Sequence, residues 1–365
     1  MKRTPIVNAE ETSELDNLIS SIASSVNKDL KNPDSMITIG DDDTEHGKKV
    51  PYWVRTNIPQ LDYAVGGRNH PGFPGGRIVE IFGAEASGKS TLAVWLAKCI
   101  IDNLDTFVLY QDAENVLTDE IIEGTGINMK RVLLQNPETL EEAFASQKAT
   151  LEVLHEKNVD NKPVASVLDS VAACPTQAEL DAEFDENQMA VQARVMSKSL
   201  KKIKSSVLAN NVLSIFVNQI REKMNVSWGN PYTTSGGRAL PFYASVRIQM
   251  GRTAYIKSDS SKEPIGGTYQ CEVVKDKVSA PGKKAVFDID YVEKDGCSFP
   301  RINTEKALLT WCKDNELLEG TQGRVVLNGK SMYIKEAVQM LRNDSDLYEE
   351  IVNLAYSIGS EDRSE

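Results

Sequence analysis

The chain has 365 residues, 41% hydrophobic and 26% charged, which allows two or three domains with ample core. No apolar run approaches the ~20 residues of a membrane span, and no apolar stretch follows Met1-Lys2-Arg3, so neither a membrane helix nor a signal peptide is expected. A net charge of −12 argues against a nonspecific nucleic-acid coat protein, and five scattered cysteines with three distant histidines make neither a disulfide framework nor a zinc pattern, as suits a reducing cytoplasm.

Residues 1–50 read as an appendage. Leu15, Leu18, Ile19, Ile22, Val26 and Leu30 recur near helical spacing over 14–30, a short strand is expected over 35–40, and Asp41-Asp42-Asp43 suits a solvated linker. Strands are predicted at 77–82, 106–110, 131–134, 164–169 and 212–217, alternating with helices at 89–103, 140–156 and 188–209. That rhythm is βαβ, so the fold class is α/β with a mostly parallel central sheet. Extended segments at 244–250, 268–275 and 284–291 continue the sheet, some antiparallel. From Val292 the pattern changes to short helices at 304–315, 334–343 and 347–357 around a hairpin near Gly329, a small C-terminal α/β unit ending in a polar tail, 359–365.

Gly83-Ala84-Glu85-Ala86-Ser87-Gly88-Lys89-Ser90 fits the phosphate-binding P-loop, with a strand entering it and an apolar helix from Thr91 leaving it. Backbone N–H groups in such a turn point at an anion, and the helix N-terminus adds partial positive charge. Lys89 would reach the β- and γ-phosphates and Ser90 would ligate Mg²⁺. Open α/β sheets bind ligands beyond the carboxyl ends of their strands. There stand Glu114, placed to activate water, Asp169, placed to hold Mg²⁺, and the amides of Asn218 and Gln219, suited to sensing a γ-phosphate. A solvated loop glutamate, a helix-capping aspartate and a satisfied strand end are the bland alternatives. Next comes a long loop over 220–240 bearing Arg221, Lys223, Met224, Trp228, Gly236, Gly237 and Arg238, preceded by Arg194, Lys198, Lys201, Lys202 and Lys204. A local basic zone with an apolar or aromatic tip suits single-stranded DNA; a solvated helix face beside a plain loop is the alternative.

Over about 54–291 the chain resembles the RecA recombinases. The resemblance is carried by Gly76-Arg77-Ile78-Val79-Glu80-Ile81, the P-loop, Asp112-Ala113-Glu114, Leu168-Asp169-Ser170, Phe216-Val217-Asn218-Gln219-Ile220-Arg221, Thr233-Thr234-Ser235-Gly236-Gly237, Phe242-Tyr243-Ala244-Ser245-Val246-Arg247 and Val274-Lys275-Asp276-Lys277. It implies a core of 51–291, an N-terminal polymerisation segment of 1–50, and a C-terminal domain of 292–365. The activity implied is that of a DNA-dependent ATPase that forms helical homo-oligomeric filaments on single-stranded DNA and exchanges strands with duplex DNA, away from membranes. Carried over by position, Glu114 is the water-activating residue, Lys89 and Gln219 act with it, and Gly83 to Thr91 with Asp169 bind ATP. Ser90 and Asp169 hold Mg²⁺, and Lys275 and Lys277 reach ATP across the subunit interface. With the loop residues read above, the expected DNA contacts are Met189, Arg194, Ser197, Arg221, Met224, Trp228, Gly236, Gly237 and Arg238. The family's adenine-stacking tyrosine aligns near Ile121, a family lysine is Pro241, and Thr44–Trp53 and Arg68-Asn69-His70-Pro71 are enlarged, as in a divergent copy such as a bacteriophage would carry. A hexameric RecA-fold DNA motor and a non-catalytic DNA-binding mediator are the rival readings. The loop sequence speaks against the first, and intact Lys89, Ser90, Glu114 and Asp169 against the second.

Overall fold

A computed structural model of the chain describes residues 50–157, 163–182, 189–222, 232–258, 262–294 and 297–358, with helical residues between 17 and 28. In that N-terminal helical stretch Leu18, Ile19, Ile22 and Val26 are exposed. The strand expected at 35–40, the aspartate linker, the tail 359–365, and Met224 and Trp228 lie outside the described residues, as does the side chain of Met189.

From Pro51 onward the strands are β1 (Trp53–Val54), β2 (Phe73–Pro74), β3 (Ile78–Gly83), β4 (Val108–Asp112), β5 (Val132–Gln135), β6 (Val164–Asp169), β7 (Val212–Glu222), β8 (Tyr232–Thr234), β9 (Val246–Lys257), β10 (Pro264–Asp276), β11 (Lys284–Lys294), β12 (Cys297–Ile302), β13 (Gly320–Thr321), β14 (Arg324–Leu327) and β15 (Lys330–Tyr333). β3 to β12 make one large sheet of order β12-β11-β10-β9-β3-β7-β6-β4-β5, with β8 paired to β7. Pairing is parallel from β9 through β3, β7, β6 and β4 to β5, and antiparallel from β9 out to β12.

The central strands are apolar on both sides because helices cover both faces. Val79, Ile81, Leu213, Ile215 and Val217 pack with helix Lys89–Leu104. Ile78, Leu168, Val212 and Phe216 take the other face with helices Leu140–Lys157 and Met189–Ala209. The strands and helices predicted between 77 and 357 are all present, several of them longer than expected. Helix Pro59–Gly66, helix Asp119–Thr125 and β12 have no counterpart in the sequence reading.

The chain leaves the large sheet at Ile302, beyond residue 291, because β12 pairs with β11. Helices Thr304–Asp314, Ile334–Asn343 and Ser345–Ala355 and the β13-β14-β15 sheet follow, and their core of Leu308, Leu309, Val325, Leu341 and Ile351 also takes in Tyr63 from helix Pro59–Gly66.

Candidate active site

β3 delivers the P-loop at the carboxyl end of the sheet's centre, where neighbouring parallel strands also end, so several strand ends converge on one place. Gly88 caps helix Lys89–Leu104 in the left-handed region at φ 81°, and a Cβ there would stand 2.9 Å from Met250 Cε and 3.0 Å from Tyr269 Cε1. Glycine is therefore required twice over, by conformation and by space.

A cavity of about 300 Å³ opens above this turn. Glu85 to Thr91 line it together with Glu114, Asp169 and Gln219, so these predicted nucleotide and catalytic residues are brought together. The Lys89 ammonium donates to the Ala84 carbonyl at 2.7 Å and the Ser87 hydroxyl at 3.3 Å. Burial lowers its pKa, while Asp169, Glu114 and Glu85 oppose the shift. Asp169 is fully buried at the end of β6, and Tyr110 donates to its Oδ2 at 3.1 Å. Burial pushes it up to about 7; the hydroxyls of Ser90 and Tyr110 pull against that shift, and Glu114 and Asp112 add to it. Its Oδ1 is buried without a hydrogen-bond partner. An unsatisfied buried carboxylate oxygen beside a P-loop serine fits a divalent cation that takes its other ligands from phosphate and water. Among the described residues no cluster of three acidic, histidine or cysteine side chains is placed to hold a metal ion.

Glu114 follows β4 in a turn tied to β6, the Ala113 amide donating to the Asp169 carbonyl at 2.7 Å. Its Oε1 accepts from the Ser170 hydroxyl and from the Gln219 side-chain amide nitrogen Nε2, the latter at 3.2 Å. Gln219 sits on β7, which continues to Arg221; Arg221 Nε donates to Ser235 Oγ at 3.1 Å. Asn218, one residue back, donates to Glu80 Oε1 and to the Ser235 carbonyl, both at 3.0 Å. The Gly236 amide donates to Gln192 Oε1 at 3.1 Å, tying the root of the long loop to helix Met189–Ala209. Arg194 and Ser197 are exposed on that helix.

Lys275 and Lys277 do not line the P-loop cavity. Lys275 donates to the carbonyls of Pro241 at 2.6 Å and Phe242 at 3.0 Å. Burial lowers its pKa to about 8, with Lys277 and Arg247 adding to the shift and Glu80 opposing it. Beside them a second cavity of about 310 Å³ is lined by Phe82, Gly237, Arg238, Pro241, Arg247 and Gln249 among others.

Sequence reasoning missed Ser170 and Gln192. It also missed one wall of the nucleotide cavity, formed by Arg252, Tyr269, Ile289, Tyr291 and Pro300. One signal was available for Arg252: it follows Val246, Ile248 and Met250 at period two on β9, hence on the same face.

The RecA N-terminal domain family matches residues 17–296. Protein RecA of Chloroherpeton thalassium is 39% identical over 259 residues, 71% of this chain and 68% of that protein. Protein RecA of Bordetella petrii is 37% identical over 257 residues, covering 70% and 68%, and that of Rickettsia canadensis 39% over 246 residues, covering 67% and 68%. The extent of these matches, over a core that carries the P-loop cavity, makes this chain a member of the RecA family.

Proposed function

We propose that ATP binds in the P-loop cavity and that its γ-phosphate is read by Gln219 and passed to the DNA-binding loop through β7. The chain is a DNA-dependent ATPase of homologous recombination that carries out strand exchange. Lys89 and the P-loop amides hold the phosphates, and Glu114 takes the proton of the attacking water. Ser90 and Asp169 would hold Mg²⁺, which would neutralise phosphate charge. Arg221, Gly236, Gly237 and Arg238, with Met224, Trp228, Met189, Arg194 and Ser197, grip single-stranded DNA, and duplex DNA is the second substrate. Lys275 and Lys277, set apart from their own subunit's cavity, serve the ATP of a neighbouring copy in a helical filament.

The observation that carries this reading is the Glu114–Gln219 hydrogen bond, which links the cavity to the strand leading into the loop. The test is ATP hydrolysis with and without single-stranded DNA, followed by strand exchange with homologous duplex. The parent protein is expected to hydrolyse faster with DNA and to exchange strands, and Lys89→Ala to lose both. Strand exchange undiminished in Lys89→Ala would refute the assignment.

A further inference from the structure

The wall missed by sequence reasoning comes from the antiparallel strands, and it carries a cation. Arg252 on β9 and Tyr269 on β10 are direct cross-strand partners, and both line the P-loop cavity. The Arg252 guanidinium lies over the Tyr255 ring at 4.0 Å, and its Nη1 is 3.5 Å from the carbonyl of Ala86, inside the P-loop. Slight burial lowers its pKa, but the hydroxyls of Tyr269 and Tyr291 outweigh that and raise it. Those two hydroxyls are 3.0 Å apart, and the buried Tyr269 ring rests against Gly88. None of the ion pairs formed among the described residues includes Arg252. Its neighbours among the described residues are neutral oxygens and rings, so a planar five-donor cation faces a phosphate cavity with no carboxylate of those residues paired to it. The cavity otherwise carries Glu85, Glu114 and Asp169 with Lys89 as its other cationic side chain, so a second protein cation would offset part of the charge of a bound polyanion.

We propose that Arg252 contacts the phosphates of the nucleotide held by the P-loop of its own subunit, and that Tyr269 is the residue that positions it. The assignment rests on the nucleotide-binding reading above. Arginine suits the role because its fork matches phosphate oxygens in pairs, which a lysine does not.

Equilibrium binding of ADP and of a non-hydrolysable ATP analogue to full-length protein without DNA tests it. Lys89→Ala is measured first; if it binds as tightly as the parent, the P-loop reading itself fails. With that loss in hand, Arg252→Ala is expected to weaken both nucleotides about tenfold or more. Arg252→Lys should recover part of the loss, and Tyr269→Phe should fall between the parent and Arg252→Ala. Binding of a single-stranded oligonucleotide to nucleotide-free protein should not change. Nucleotide affinity of Arg252→Ala within about twofold of the parent, or a loss confined to oligonucleotide binding, would overturn the proposal and leave the P-loop reading standing.

Discussion

Gln219 Nε2 donates to Glu114 Oε1 at 3.2 Å, joining residues 105 positions apart in the chain. The same carboxylate oxygen accepts from Ser170, so the proposed base is oriented by two donors from two different strand ends. Glu114→Gln removes the proton acceptor and keeps the shape. ATP hydrolysis is expected to fall about a hundredfold or more, with nucleotide affinity changed by only a few-fold. Steady-state hydrolysis and nucleotide titration check this; a variant that hydrolyses like the parent would remove Glu114 from the chemistry.

Gly236 sits at φ 78°, and a Cβ there would stand 2.9 Å from Met196 Cγ. Gly236→Ala therefore strains the backbone and presses on helix Met189–Ala209, at a cost of about 1–3 kcal/mol. Affinity for single-stranded DNA should drop while ADP binding is retained, because Gly236 lies outside the P-loop cavity. Fluorescence anisotropy with a labelled oligonucleotide, alongside a nucleotide titration, separates the two effects.

Asp62 is wholly buried and accepts from the Thr56 amide at 2.9 Å, the Thr56 hydroxyl at 2.8 Å and the Tyr356 hydroxyl. Burial pushes its pKa up to about 7, against those hydrogen bonds and the charge of Arg55. Asp169 is also raised to about 7. Each folded pKa exceeds the ordinary 3.8, so over that interval the folded chain binds more protons than the unfolded one. The stability these groups confer is complete below their unfolded pKa and is lost as pH rises towards 7, with a limiting slope of about 1.4 kcal/mol per pH unit for each group. Asp62→Asn removes one of the two contributions. Between about pH 5 and pH 7 its Tm should decline less with rising pH than the parent's. Parallel melting curves across that range would show that Asp62 does not titrate there.

Lys275 is bonded to the Pro241 and Phe242 carbonyls, away from the P-loop cavity. Lys275→Ala is therefore expected to leave ADP binding by dilute protein within about twofold of the parent and to abolish ATP-dependent assembly on DNA. Its lowered pKa, about 8, adds a second signature. The parent's assembly should weaken as pH rises through about 8, where the amine loses its charge, and the variant's residual binding should not follow. Light scattering and nucleotide titration over that range provide the measurement.

The parts of this protein legible in its sequence are those whose chemistry is contiguous. The P-loop is eight successive residues, and Glu114, Asp169 and Gln219 each follow an apolar strand, so rules about strand ends locate them. Helix Pro59–Gly66 escaped because it has eight residues, begins at proline and is buried on nearly all sides, leaving little helical periodicity to read. Arg252, Tyr269 and Tyr291 escaped for a different reason. They meet through antiparallel register, including an irregularity between Thr268 and Tyr269, and register is set by tertiary packing. The roles expected of Lys275 and Lys277 come from the family resemblance alone, since charge and spacing give no hint of what they serve.

Asn218 and Gln219 are consecutive, so the alternation of a strand turns their amides to opposite sides of the sheet. One reaches the buried Glu80, itself paired with Arg247; the other reaches Glu114 in the P-loop cavity. A single peptide unit thus anchors two sets of contacts on opposite faces of the sheet, two residues before Arg221 on the same strand.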